Sequence, residues 1–215
     1  MLPVRSVRDL GVYINANTAM KNNVIATVKA CFAPLRQIRS VRRSLPQHAL
    51  LILIRALVVS KVDYCNSVLA GISSRHMDRL LSILNAAARL VFSVRKSGET
   101  ITPLPREVHW LRSRERIQVR PCVLVYRYLN DTAPPYLAES LHTTTEDAAR
   151  CRLRSAGTSS LLVQSTRRAT LGDRAFYVAV PPRLWNTLLT SVSTAASLLI
   201  FRRNLKMLLF QLSLG

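Results

Sequence analysis

The strongest constraint on this fold lies in the segment Ser60–Lys96. In its second half Met77, Leu80, Leu81, Leu84, Ala87, Ala88, Val91 and Val94 recur at three- and four-residue steps. That spacing draws one apolar stripe along an amphipathic helix. Gly71 ends the run before it, and Ser73 or Ser74 is a suitable cap for the new helix. Arg75, Arg79, Arg89 and Lys96 fall on the other side, with Ser82 between them. One face needs a core, and the other offers cations to water or to an anion.

The segments before it repeat this design. Residues 18–44 read as a helix with an apolar stripe of Val24, Val28, Cys31, Leu35 and Ile38. Lys29, Arg36, Arg39, Arg42 and Arg43 load its second half with positive charge, a placement that also suits the helix macrodipole. Pro34 is expected to kink or split that helix, because it removes a backbone donor and clashes with the preceding turn. Pro46 opens the next helix, and Leu50 to Val59 is apolar almost all round, which predicts a central position. Asp63 is expected to ion-pair with Lys61 or Arg55.

At the start of the chain, Asp9 to Ile14 reads as a strand followed by a turn at Asn15–Asn17. A lone strand is not stable, so its sheet partners are expected in a larger chain. Residues 97–111 break the helical pattern with Gly98, Pro103 and Pro105, and Trp110 and Leu111 are expected to dock on the core. A helix follows over Ser113–Leu129, interrupted by Pro121, with Ile117, Val123, Leu124, Tyr126 and Tyr128 as its apolar positions. Pro135 begins a short helical turn. Residues 143–160, polar and rich in small side chains, read as a linker. Beyond them Ser160–Val163 and Ala175–Val180 read as short strands with a turn at Gly172-Asp173. The last helix is predicted over Thr194–Leu212, with Leu198, Phe201, Leu205, Leu208 and Leu209 inward and Arg202, Arg203 and Lys206 outward. The fold class is therefore mainly α, a helical bundle preceded by a strand and followed by a smaller α+β region.

Charge narrows the function classes. The 215 residues carry 31 Lys and Arg against 11 Asp and Glu, a net charge of +20, while 49% are hydrophobic. The apolar content argues against global disorder. The excess charge points to nucleic acid first, an anionic membrane surface second and an acidic protein third. The N-terminus lacks the apolar region of a secretory signal, and Asp9 argues against a mitochondrial presequence. The most apolar run, Ala49–Val59, contains Arg55 and is too short to span a bilayer. Cys31, Cys65, Cys122 and Cys151 form no CxxC and have no histidine at ligand spacing. These features predict an intracellular location, nuclear or cytoplasmic.

Catalytic constellations are missing from the sequence. Glu146-Asp147 is the one adjacent acid pair, and it lies in the linker. There is no P-loop, GxSxG or HExxH. His109 beside Trp110 has no nucleophile placed with it and reads as structural. Trp110 and Trp185 read as core residues. The better lead is basic: Arg36, Arg39, Arg42, Arg43, Arg75, Arg79, Arg89, Arg95 and Lys96 are the candidate phosphate contacts. No helix-turn-helix, zinc-finger or RNP pattern is present, so binding is expected to ignore sequence.

The blocks SVRDLGVYI, CFAPLRQIRSVRRSL, KVDYCNSVLAGI, ILNAAARLVF, ITPLPREVHWL, RPCVLVYRYLNDTAPPYLAESL, LRSAG and GDRAFYVAVPPRLWN, in that order from about Val7 to Phe210, resemble the C-terminal part of the reverse transcriptase of non-LTR retrotransposons (LINEs) of the vertebrate chicken-repeat and jockey kind. The resemblance implies a residual palm strand at 1–17, a helical thumb at 18–96, a helical extension at 97–142, the linker at 143–160 and a small α+β region at 161–215. It implies an RNA-directed DNA polymerase family whose Mg²⁺ is held by palm aspartates, but no residue of this sequence matches them. The expected activity is thus not enzymatic. It is non-specific binding of RNA or an RNA–DNA hybrid by the thumb's basic faces, with no cofactor and no small-molecule substrate, and with the missing palm of a larger chain as a further partner. The alternatives are an inert transposon-derived polypeptide and a basic module for an anionic membrane or an acidic protein. Asn15 stands where the family commonly has an acid, and Pro34, Pro121 and the second proline of Pro181-Pro182 also depart from its pattern, which reads as relaxed constraint.

Overall fold

The computed structural model describes residues 6–16, 20–93, 110–139, 141–144, 160–163 and 184–213. The described chain is mostly helical with one two-stranded sheet. It divides into two compact units, Met1–Arg116 and Ile117–Gly215. The expected boundaries at 96/97 and 142/143 fall inside those units. Arg95, Lys96, His109, Cys151, Glu146-Asp147, Ala175–Val180, Gly172-Asp173 and Pro181-Pro182 lie outside the described residues.

In the first unit the expected lone strand is a hairpin. β1 (Ser6–Asp9) pairs antiparallel with β2 (Val12–Asn15), with Asp9 opposite Val12 and Ser6 opposite Asn15. Leu10 and Gly11 form the turn, both at positive φ (43° and 81°), the geometry that a two-residue hairpin loop needs. The strand's partner is thus its immediate neighbour. Leu10 takes the strained position where Asn or Asp is favoured, which is why the turn hid inside an apolar run. The hairpin is anchored at two points. Tyr64 donates its hydroxyl to the Leu10 carbonyl (2.7 Å), and the Tyr13 amide donates to Asn23 Oδ1 (3.2 Å).

α1 (Lys21–Val41) passes through Pro34 unbroken and continues as a 3-10 turn over Arg42–Ser44. The expected split does not occur. Pro34 is buried beside Cys31, Leu35 and Ile38, so packing of its ring offsets the lost backbone bond. α2 (Gln47–Ile54) leads through one π-helical turn, Arg55–Val59, into α3 (Ser60–Asp63). The extra residue in that turn lets the consecutive Val58 and Val59 both reach the core with Ile54 and Val62. This segment is not buried all round, because Ile52 and Leu57 stand exposed. It is tied to α1 by Lys61 Nζ donating to the Ala30 carbonyl (3.3 Å) and Cys31 Sγ donating to the Val58 carbonyl (3.7 Å).

Gly71, at φ 72°, ends the short 3-10 turn Asn66–Leu69 region, and α4 (Ser74–Phe92) follows. Ser73 occupies the N-cap, but its hydroxyl pairs with His76 Nδ1 (2.9 Å) and makes no cap bond to the backbone. Leu80, Leu84, Ala87, Ala88 and Val91 are buried as the stripe predicts. Ile83 and Leu90 are buried too, whereas Met77 and Leu81 are half-buried, so the interior face is rotated from the predicted one.

α5 (Ser113–Leu129) is continuous through Pro121, again against expectation. Pro121 is buried next to Cys122 and Val123. In the first unit, Arg116 near the start of α5 is the partner of Asp63, in place of Lys61 or Arg55. Its Nη1 donates to both carboxylate oxygens (3.0 and 2.8 Å).

The second unit holds the rest of α5, α6 (Pro135–Ala138), α7 (Thr190–Ser193) and α8 (Leu198–Leu212). α8 starts four residues later than predicted, where Ser197 accepts from the Ile200 amide as N-cap. Its core is aromatic. Tyr126 stacks on Phe201 with centroids 4.4 Å apart, and Trp185 tilts against the same ring at 5.8 Å. The Tyr126 hydroxyl donates to the Ala195 carbonyl (2.7 Å). Phe201, Leu205 and Leu209 are buried, and Arg202, Arg203 and Lys206 are exposed, as predicted. Thr143, the first residue of the expected linker, meets Leu161 in an antiparallel bridge, and the strand expected over Ser160–Val163 is reduced to that one isolated bridge. The Asn186 amide clamps Leu161 by both backbone groups (2.9 Å each).

Candidate nucleic-acid interface

α1 and α4 lie side by side and run in the same direction. Arg42, just past the end of α1, donates from Nε to the carbonyl of Leu90 near the end of α4 (2.7 Å). At the other end, Lys21 of α1 is close enough to His76 of α4 to act on its ionisation. Parallel packing sets the second half of each helix, where the arginines are concentrated, along one groove.

That groove has a volume of about 460 Å³. Arg36, Arg39 and Arg42 line it from the α1 side, and Arg89 from α4. Phe32, Leu35, Ala86 and Leu90 supply apolar lining, and Ser82 and Ser93 complete it. No carboxylate lines it. A second depression of about 390 Å³ shares Arg42 and Ser93 and adds Arg43. The five arginines therefore surround one continuous stretch of surface at the shared C-terminal end of α1 and α4.

Two features make this stretch receptive to anions. Among the described residues the one salt bridge is Asp63–Arg116, and no described carboxylate neutralises any of the five. Like charges brought to one groove also repel until a counter-charge arrives.

On α4 the positions 75, 79, 82, 86, 89 and 93 follow one another at helical steps and form a single stripe. Arg75 and Arg79 begin it, outside the groove. Burial first, and then Arg79, Arg75 and Lys21, hold the His76 imidazole below its usual value of 6.5. The structure thus brings Arg36, Arg39, Arg42, Arg43 and Arg89 together and sets Arg75 and Arg79 at the other end of the stripe. From Arg75 to Arg89 is about 21 Å at 1.5 Å per residue, the axial length of roughly six phosphates of one strand. Nothing in the sequence marks Phe32, Ala86 or Lys21 as site residues. Phe32 does share the helical spacing of Arg36 and Arg39, but only the packing of α4 alongside makes that spacing a groove.

Among the described residues no three His, Cys, Asp or Glu side chains gather as a metal centre would require. No helix among them is long and apolar enough to cross a membrane. Burial pushes the Cys31 thiol up to about 11, against a lowering by Lys61, and pushes Cys122 up to about 12. No family model, curated protein or solved structure matches the chain.

Proposed function

We propose that this chain binds RNA or an RNA–DNA hybrid without sequence preference, through phosphate contacts along the basic surface of α1 and α4. The observation that carries this reading is the groove lined by Arg36, Arg39, Arg42 and Arg89, with no acid in it. Guanidinium groups match phosphate oxygens bidentately and keep their charge at any physiological pH. Such contacts hold a backbone in place but do not read bases. In this reading the chain is the thumb-bearing part of a reverse-transcriptase-like polypeptide of LINE type. Polymerase activity is not proposed for it. The family's Mg²⁺ is held by aspartates that have no counterpart in this sequence, and Asp63 is already engaged by Arg116.

The test is fluorescence anisotropy with labelled RNA and RNA–DNA hybrid over a salt series. The reading expects affinity that falls steeply with salt and differs little between unrelated sequences. Affinity indifferent to salt would contradict it. Primer extension by the pure chain with Mg²⁺ and dNTPs would contradict the non-catalytic part.

The outer face of α8 favours a second reading, an anionic membrane surface. Leu199, Ile200 and Met207 are exposed there beside Arg202, Arg203 and Lys206, and the helix contains no acid. Apolar side chains flanked by cations suit the headgroup boundary. Tighter binding to phosphatidylserine vesicles than to nucleic acid would favour this reading over the first.

A further inference from the structure

Resting on the nucleic-acid reading above, we infer that the groove between α1 and α4 seats an unpaired base of a single-stranded segment on Phe32. The four arginines of its rim hold the phosphates on either side.

The argument starts from the lining. A surface built only to follow a phosphate backbone has no use for an apolar floor. This groove has one, formed by Phe32, Leu35, Ala86 and Leu90, of which Leu35 and Leu90 are buried while Arg36 and Arg39 beside them are exposed. Phe32 is half-buried, so part of its ring remains accessible from the groove. A volume of about 460 Å³ lies within the range of pockets that enclose small organic ligands, and a nucleobase is such a ligand.

A duplex cannot use that floor. Its bases are stacked on one another inside, so it has no free base face to offer an aromatic ring. A single strand can turn a base inward while its two neighbouring phosphates stay outside. Every base has a π-face to offer an aromatic ring, so the seat tolerates any sequence. The polar groups beside the floor support this tolerance. Ser82 already donates its hydroxyl to the Arg79 carbonyl (2.7 Å), and no Asn, Gln, Asp or Glu lines the groove to read a base edge.

The experiment compares three ligands on the full chain at one ionic strength. They are a labelled 12-nucleotide RNA, the same strand carrying abasic sites at its centre, and the RNA duplex of the same length. Equal backbone charge in the first two isolates the base. The expected result is about tenfold weaker binding of the abasic strand. Phe32→Ala should bring the two strands within about twofold of each other, whereas Arg36→Gln should weaken both alike. Ala86→Leu, which fills the floor from the other helix, should also close the gap and guards against misfolding of the first variant. Equal affinity for the base-bearing and abasic strands, with steep salt dependence retained, would overturn the base seat and leave phosphate binding standing. So would a duplex bound as tightly as the single strand, or a gap that survives both substitutions. No binding of any strand at low salt would overturn both readings.

Discussion

The Nε of Arg42 is 2.7 Å from the carbonyl oxygen of Leu90, and this hydrogen bond closes the C-terminal end of α1 onto that of α4. Carbonyls in the last turn of a helix lack intrahelical donors, and a guanidinium there answers both the missing bond and the negative end of the dipole. Arg42 also lines both depressions of the basic surface, so it is positioned by one helix end while its charge remains beside the site.

Arg42→Ala should therefore lower stability as well as nucleic-acid affinity. A part-buried, charge-assisted bond of this kind contributes about 1–2 kcal/mol. At this chain length that is a fall of about 3–6 °C in Tm by circular dichroism. Arg42→Gln should recover part of the stability and none of the affinity. An unchanged Tm for the alanine variant would mean that the bond does not hold the helices together.

Asp63 and Arg116 make the one salt bridge among the described residues, and Arg116 is only 11% exposed. Removing one partner strands the other. Asp63→Asn, which strands the buried guanidinium, should cost about 2 kcal/mol in urea unfolding, and Arg116→Met somewhat less, since the Asp63 it strands is more exposed. The double variant should cost less than the sum of the two, giving a coupling energy of about 1 kcal/mol. Strict additivity would show that the two side chains do not support each other in solution.

His76 provides a pH test of the basic stripe. Its pKa in the folded chain is lowered, by burial first and then by Arg79, Arg75 and Lys21. The unfolded chain then binds the proton more readily. The stabilising contribution of this group is full above the ordinary imidazole value of 6.5 and is lost as pH falls through the depressed folded value. A polyanion lying along Arg75 and Arg79 should cancel part of the repulsion and raise the pKa. Titration of the His76 ring by NMR, with and without RNA, should show that rise. No movement on saturation would remove Arg75 and Arg79 from the interface.

Two thiols predict behaviour at high pH. Cys31 and Cys122 are raised to about 11 and about 12 by burial, above the ordinary 9.0. The folded chain keeps protons that the unfolded chain gives up. Their contribution to stability is complete below pH 9 and declines as pH rises towards 11 and 12. Below that window they remain thiols, and the thiolate is the reactive form. Site-resolved alkylation of the native chain at pH 8 should label half-buried Cys65 well ahead of both. Equal labelling would indicate that the two helices open readily.

The helices were legible because apolar spacing survives whatever packs against it. α4, α5 and α8 appear where their stripes lie. What the sequence could not convey depends on neighbours. Pro34 and Pro121 look like breaks because the local cost is written in the chain, whereas the compensating burial of each ring depends on the rest of the unit. Ile83 and Leu90 joined the interior because the buried face of α4 is rotated from the predicted stripe, which leaves Met77 and Leu81 half-buried. Ile52, apolar like its neighbours, ends up in solvent because it lies on the side of α2 away from the buried Leu50 and Ile54. The basic character of the site was readable residue by residue. Its assembly was not, because Arg36 and Arg89 are 53 positions apart and meet only through the parallel packing of α1 and α4.

The central claim is that cations of that groove, held without acidic partners, take the phosphates of a nucleic-acid strand. It is tested most directly by the slope of log affinity against log salt for single-stranded RNA, measured for the unaltered chain and for the triple variant Arg36→Gln, Arg39→Gln, Arg89→Gln. Each phosphate contact contributes about 0.7 to the slope on a single strand, so the variant's slope should be shallower by roughly 2, with its helical content unchanged. Identical slopes for the two folded proteins would contradict the account.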